Sequence, residues 1–185
     1  MIGGSVSGWR VIRNTVAVVS MLGLTMCQNI NNIDVSVGGK ADVPAATLLT
    51  KLLGAVNFGG FDKVDFTENF KNQGVTKDDV DAVHMKTMTL IVEAPASGNF
   101  DFIQSVHFFV KADGLDQVEI AGMDAIPKGK RELDLVVHGD VDLKAYVVAP
   151  SMQIVSKVEG SLPDEMTTVA AAVVLDVDIH IPGCN

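Results

Sequence analysis

From Thr168 to His180 the chain keeps a period of two over 13 residues. Val169, Ala171, Val173, Leu175, Val177 and Ile179 fall on one side, and Thr168, Asp176, Asp178 and His180 on the other. A helix would scatter these positions around its axis, whereas a strand sends them to opposite faces of a sheet. The same pattern recurs earlier. Met88, Leu90 and Val92 oppose Thr87, Thr89 and Glu93, and Val106, Phe108 and Val110 oppose His107 and Lys111. Leu133, Leu135 and Val137 oppose Glu132, Asp134 and Val136, while Met152, Ile154 and Val158 oppose Gln153, Lys157 and Glu159. Turn sequences separate the runs at Pro95-Ala96-Ser97-Gly98, Asp113-Gly114, Pro127-Lys128-Gly129, His138-Gly139-Asp140 and Leu162-Pro163-Asp164. Strands with one dry face reach stability by burying those faces against each other. The expected fold is therefore mainly β, an antiparallel β-sandwich of six to eight strands.

The region before Thr76 reads differently. Ala45, Leu48, Leu49, Leu52, Leu53 and Val56 recur at helical spacing, with Pro44 at the start and Gly59-Gly60 beyond the end. This predicts one short N-terminal amphipathic helix over Pro44 to Val56, covering an edge or open end of the sandwich. Phe58, Phe61, Phe66 and Phe70 follow within 13 residues. They are expected to pack this irregular segment onto the sheets, the competing reading being a pocket for an apolar ligand. Thr76-Lys77-Asp78-Asp79 has the form of a capping box opening a short helical turn.

The front of the chain carries an address. Arg10 and Arg13 precede an apolar run from Thr15 to Met26 that ends at Cys27. A basic segment followed by a short apolar one is the form of an export signal. The run spans roughly 20 Å as a helix against about 30 Å of hydrocarbon, so it is short for a stable membrane span. Leu24-Thr25-Met26-Cys27 resembles the lipobox of bacterial lipoproteins, in which the cysteine thiol receives diacylglycerol; Met26 stands where that motif carries a small residue. The resemblance covers the signal segment and none of the folded domain. It implies removal of residues 1–26 and lipidation of Cys27, with residues 27–40 as tether and first strand and 41–185 as the sandwich. It also implies a cell-envelope protein held to a membrane through its N-terminal lipid. Gln28 follows Cys27 in place of the aspartate linked with inner-membrane retention, which favours the outer membrane, and an outer-membrane lipoprotein is expected rather than a periplasmic or secreted protein. Cys184 is then a lone thiol; without lipid, a Cys27–Cys184 disulfide is the alternative.

The full chain carries a net charge of −9, and losing Arg10 and Arg13 with the signal leaves −11. A surface this acidic repels phosphate backbones, so nucleic acid is not an expected partner. Catalytic and cofactor signatures are lacking: there is no nucleophile elbow, P-loop, dinucleotide fingerprint or cysteine-histidine zinc spacing. His84, His107, His138 and His180 fall on separate elements, and His84 shares parity with apolar Met88 and Leu90, so they are not expected to converge. Asp140 with Asp142, and Asp176 with Asp178, pair carboxylates on one side of a strand, while Asp113 and Asp116 flank a turn. Calcium would suit such oxygens, but a solvated acidic face accounts for them equally. No catalytic, cofactor or metal residue is assigned, and lipidation at Cys27 is the one expected site. The expected function is a lipid-anchored, non-catalytic structural or binding module for an envelope protein or glycan partner. The alternatives are a carrier of apolar molecules or lipids in a cavity of the sandwich, and an envelope enzyme.

Overall fold

The computed structural model describes residues 32–47, 56, 58, 59, 61, 76–150 and 152–180. Cys27, Cys184, the apolar run before Cys27, Leu49, Leu53, Phe66 and Phe70 lie outside them. Among the described residues, eight strands form two four-stranded antiparallel sheets. They are β1 (Asn32–Val43), β2 (Val80–Ala94), β3 (Ile103–Ala112), β4 (Leu115–Met123), β5 (Glu132–Asp134), β6 (Val136–Val137), β7 (Gln153–Gly160) and β8 (Thr167–Ile179). One sheet has the order β1-β8-β2-β5 and the other β6-β4-β3-β7. The expected sandwich is what the chain builds.

The alternating runs explain the core. Val169, Ala171, Val173, Leu175 and Val177 of β8 are buried, as are Val35, Val37, Ala41 and Val43 of its neighbour β1. The two strands pair without a break from Asn32 opposite Asp178 to Val43 opposite Thr167. From the second sheet, Val106, Phe108 and Val110 of β3 face them. Burial of such side chains contributes about 1.5–3 kcal/mol each relative to exposure.

In β2 the spacing misleads. A register shift between Met85 and Thr87 gives the strand an extra residue, so Met85 and Met88 are both buried although three positions apart. Parity therefore reverses across the bulge, and His84, opposite Asp176, faces outward rather than sharing the core face of Leu90. The run Glu132–Val137 also does more than alternate. Its first half pairs with β2 and its second with β4, so the chain changes sheets at buried Leu135.

Of the predicted Pro44–Val56 helix, Pro44–Thr47 carry no regular structure, Val56 forms an isolated antiparallel bridge to Val158, and residues 48–55 lie outside the description. The short α-helix seen is α1 (Lys144–Val147). Beyond the Val56 bridge, the Phe58 N–H donates to Ser156 Oγ at 3.3 Å, and Phe58 and Phe61 enter the core. Their rings meet Phe108 at centroid distances of 6.3 and 5.8 Å. These two phenylalanines pack as expected. An interior void of about 20 Å³ lies beside Phe61, against about 300–1,000 Å³ for ligand pockets.

Candidate functional site

An open cleft of about 690 Å³ lies at one end of the sandwich. One wall is the β2–β3 connection, through Pro95, Gly98, Asn99 and Asp101, and the other is the β7–β8 connection, through Leu162, Pro163, Asp164 and Glu165. Pro95 follows a cis peptide bond. Arg131 fixes the first wall from behind. Its guanidinium donates to the carbonyls of Val92 (2.7 Å), Pro95 (3.0 Å), Ala96 (2.5 Å) and Gly98 (2.6 Å). Five N–H donors in a rigid fork suit such a ring of acceptors, which an ammonium group could not match. Asp101 Oδ1 accepts the Gly129 N–H at 2.7 Å, and its own N–H donates to Asn99 Oδ1 at 2.9 Å.

The second wall depends on a glycine. At Gly160 φ is +153°, and a Cβ there would stand 2.5 Å from the Phe102 carbonyl oxygen and 2.6 Å from Ile103 Cα. Only glycine lets β7 pass this close to β3 before turning. The Ser161 N–H then donates to Phe102 O at 2.8 Å, and the Ala46 N–H donates to Pro163 O at 2.7 Å. Segment 44–47 thereby joins the wall. Asp101, Asp164 and Glu165 are exposed at the cleft, and among the described residues no lysine or arginine lines it. The cleft offers carboxylates, amides and hydroxyls to a polar or cationic ligand.

A second group of side chains lies outside the other sheet. His107 Nδ1 is 2.8 Å from Glu119 Oε1, and His138 Nε2 is 3.6 Å from that same oxygen. Asp124 Oδ1 stands 3.3 Å from His107 Nε2. The hydrogen bond with His107, joined by the charges of both imidazoles, holds the Glu119 carboxyl below its usual range against the opposing effect of burial. Two of the four histidines, His107 and His138, thus meet at one carboxylate, while His84 stands on the other sheet and His180 just past the end of β8. Pairing of β6 with β4 brings His107 and His138 together, and the His138 N–H donates to Ile120 O at 2.9 Å. Nothing local in the sequence marks that pairing.

The remaining candidates serve the fold or stand apart. Asp140 and Asp142 lie in the connection before α1 rather than on a strand. Asp142 Oδ1 accepts the N–H groups of Val83 (3.1 Å) and Lys144 (2.9 Å), holding the connection to β2. Asp176 and Asp178 lie on β8 opposite Asp34 and Asn32, and Asn32 donates to Asp178 at 3.2 Å. His180 Nδ1 is 4.0 Å from Asp81. Among the described residues no group of three or more His, Cys, Asp or Glu could hold a metal ion. No family model matches the sequence, and no curated protein matches it significantly.

Proposed function

We propose that this chain is a lipid-anchored cell-envelope β-sandwich, a non-catalytic module whose end cleft binds a protein or glycan partner away from the membrane. The observation that carries the reading is the placement of two ends. Asn32, five residues after Cys27, opens β1 beside Asp178, whereas Val43, at the other end of the strand, leads into the cleft wall through Ala46. At about 3.4 Å per residue, 12 residues of β1 separate these ends by nearly 40 Å. A lipid on Cys27 would thus sit beneath one end of the sandwich and leave the cleft at the other. Confinement to a membrane raises the effective concentration of the cleft for partners in the same layer.

The test combines anchoring and contact. Intact mass and membrane fractionation of wild type and Cys27→Ser in the native host should give an acylated, membrane-bound chain and a released one. A photo-crosslinking residue at Ser97, in the cleft, should then capture an envelope component more strongly than one at Asp81, at the opposite end. An unacylated wild-type chain would remove the anchor, and equal capture at the two positions would remove the cleft.

A further inference from the structure

The geometry points to an uncharged saccharide as the ligand of the end cleft, held by Asn99 and Asp101 beside Phe102. This ligand rests on the cleft binding a partner, as proposed above, and gives that partner one chemistry. Asn99 Oδ1 accepts the Asp101 N–H at 2.9 Å, and Asp101 Oδ1 accepts the Gly129 N–H at 2.7 Å. Each side chain thus commits one atom to the loop. Among the described residues Asn99 Nδ2 and Asp101 Oδ2 have no partner, which leaves an oriented amide donor and an oriented carboxylate acceptor two residues apart at the cleft. A hydroxyl both donates and accepts, so a sugar satisfies both groups, whereas an ammonium or guanidinium offers donors alone.

Three further features favour a sugar. Half-buried Phe102 lines the cleft with its ring stacked on buried Phe100, at a centroid distance of 6.2 Å. With Pro95 and Leu162 it supplies apolar surface for the C–H groups of a sugar ring, beside a few placed polar groups, as small-molecule sites require. The volume of about 690 Å³ falls within the range of about 300–1,000 Å³ for such sites. Asp101, Asp164 and Glu165 surround it with negative charge, which disfavours uronate, sulfate and phosphate groups. Arg131 holds the carbonyls of Pro95, Ala96 and Gly98, so the polar wall is ordered before a ligand arrives and less freedom is lost on binding.

The test probes an array of immobilised oligosaccharides, uncharged, uronate-bearing and amino-bearing, with the full chain carrying Cys27→Ser. Uncharged oligosaccharides should retain it, with little dependence on salt because no ion pair holds the ligand. Two isosteric variants then address the site without loosening the loop. Asp101→Asn keeps an oxygen for the Gly129 N–H and turns the other atom from acceptor to donor. Asn99→Asp keeps an oxygen for the Asp101 N–H and turns the donor into an acceptor. Each should weaken calorimetric binding of the retained saccharide about tenfold, with the far-ultraviolet circular dichroism of the parent. Asp81→Asn, at the opposite end, should leave binding unchanged. No retention, retention by charged oligosaccharides alone, or binding unaffected by both isosteric variants overturns the saccharide. Should the crosslinker at Ser97 then still capture an envelope protein more strongly than the one at Asp81, only the saccharide falls and the cleft stands. Equal capture at the two positions removes both.

Discussion

Gly160 shows how narrowly single residues constrain this fold. Its φ of +153° and the backbone of Phe102 and Ile103 leave no room for a side chain. Gly160→Ala should destabilise the domain by about 2–4 kcal/mol, measured as a lower urea midpoint with an unchanged slope. Glu119 offers a contribution that depends on pH. Because its folded pKa is depressed, its ionised form adds stability that is fully present above about 4.5 and is lost as pH falls through the lower folded value. Glu119→Gln should therefore be less stable than wild type near pH 6, with the difference shrinking below pH 4.5. The effect should be modest, since solvent screens a carboxylate whose side chain is 35% exposed. A difference that grows on acidification would contradict the assignment. At this scale the sequence showed only part of the picture. The role of Arg131 is not legible in the sequence, because its four acceptors are backbone carbonyls, which leave no trace in residue identity. His84 shares the sequence parity of the core face, yet one extra residue in β2 reverses that parity, and bulges carry no reliable composition signal.

Among the elements, the β2–β3 connection depends most on one distant side chain. Arg131→Ala would leave the carbonyls of Val92, Pro95, Ala96 and Gly98 without their shared donor. Water can reach some of these acceptors, so the cost should be about 2 kcal/mol, with faster amide exchange at Gly98 than at Val106 in central β3. Arg131→Lys should recover little, because an ammonium group cannot span the ring of acceptors. Equal exchange in wild type and Arg131→Ala would show that the connection holds itself. The central strands were legible from period two alone, because a half-buried strand must alternate, as β8 does over 13 residues and β3 does from Val106 to Ala112. Strands β5 and β6 were legible as one alternating run. Their assignment to different sheets was not, because it depends on partners that β2 and β4 supply. The Pro44 stripe was ambiguous for a related reason. Its last residue, Val56, has the spacing of a helix, yet it bridges to Val158 at the edge of β7. At Val56 itself the open edge of β7 supplies a backbone partner.

For the molecule as a whole, the functional reading rests on direction. Both sheets run lengthwise between an end where β1 begins and β8 finishes and an end where the cleft opens. Five residues from Cys27 to Asn32 reach at most about 18 Å, so a lipid on Cys27 would keep the first end near the headgroups. The cleft would then stand nearly 40 Å farther out. An acidic domain is also repelled by an anionic membrane surface, which favours extension of the tether over lying flat. Energy transfer to labelled headgroups in anionic vesicles measures this directly. In acylated Cys184→Ser protein, Cys27 is blocked as a thioether, so a fluorophore can be placed on Ser97→Cys or on Asp81→Cys alone. Transfer should be strong from position 81 and weak from position 97, and adding salt should bring the two closer as screening lets the domain tilt. Equal transfer at low salt would mean that the tether lets the domain tumble freely, leaving the cleft no preferred direction. Stronger transfer from position 97 would place the cleft against the membrane and make a membrane component its natural ligand.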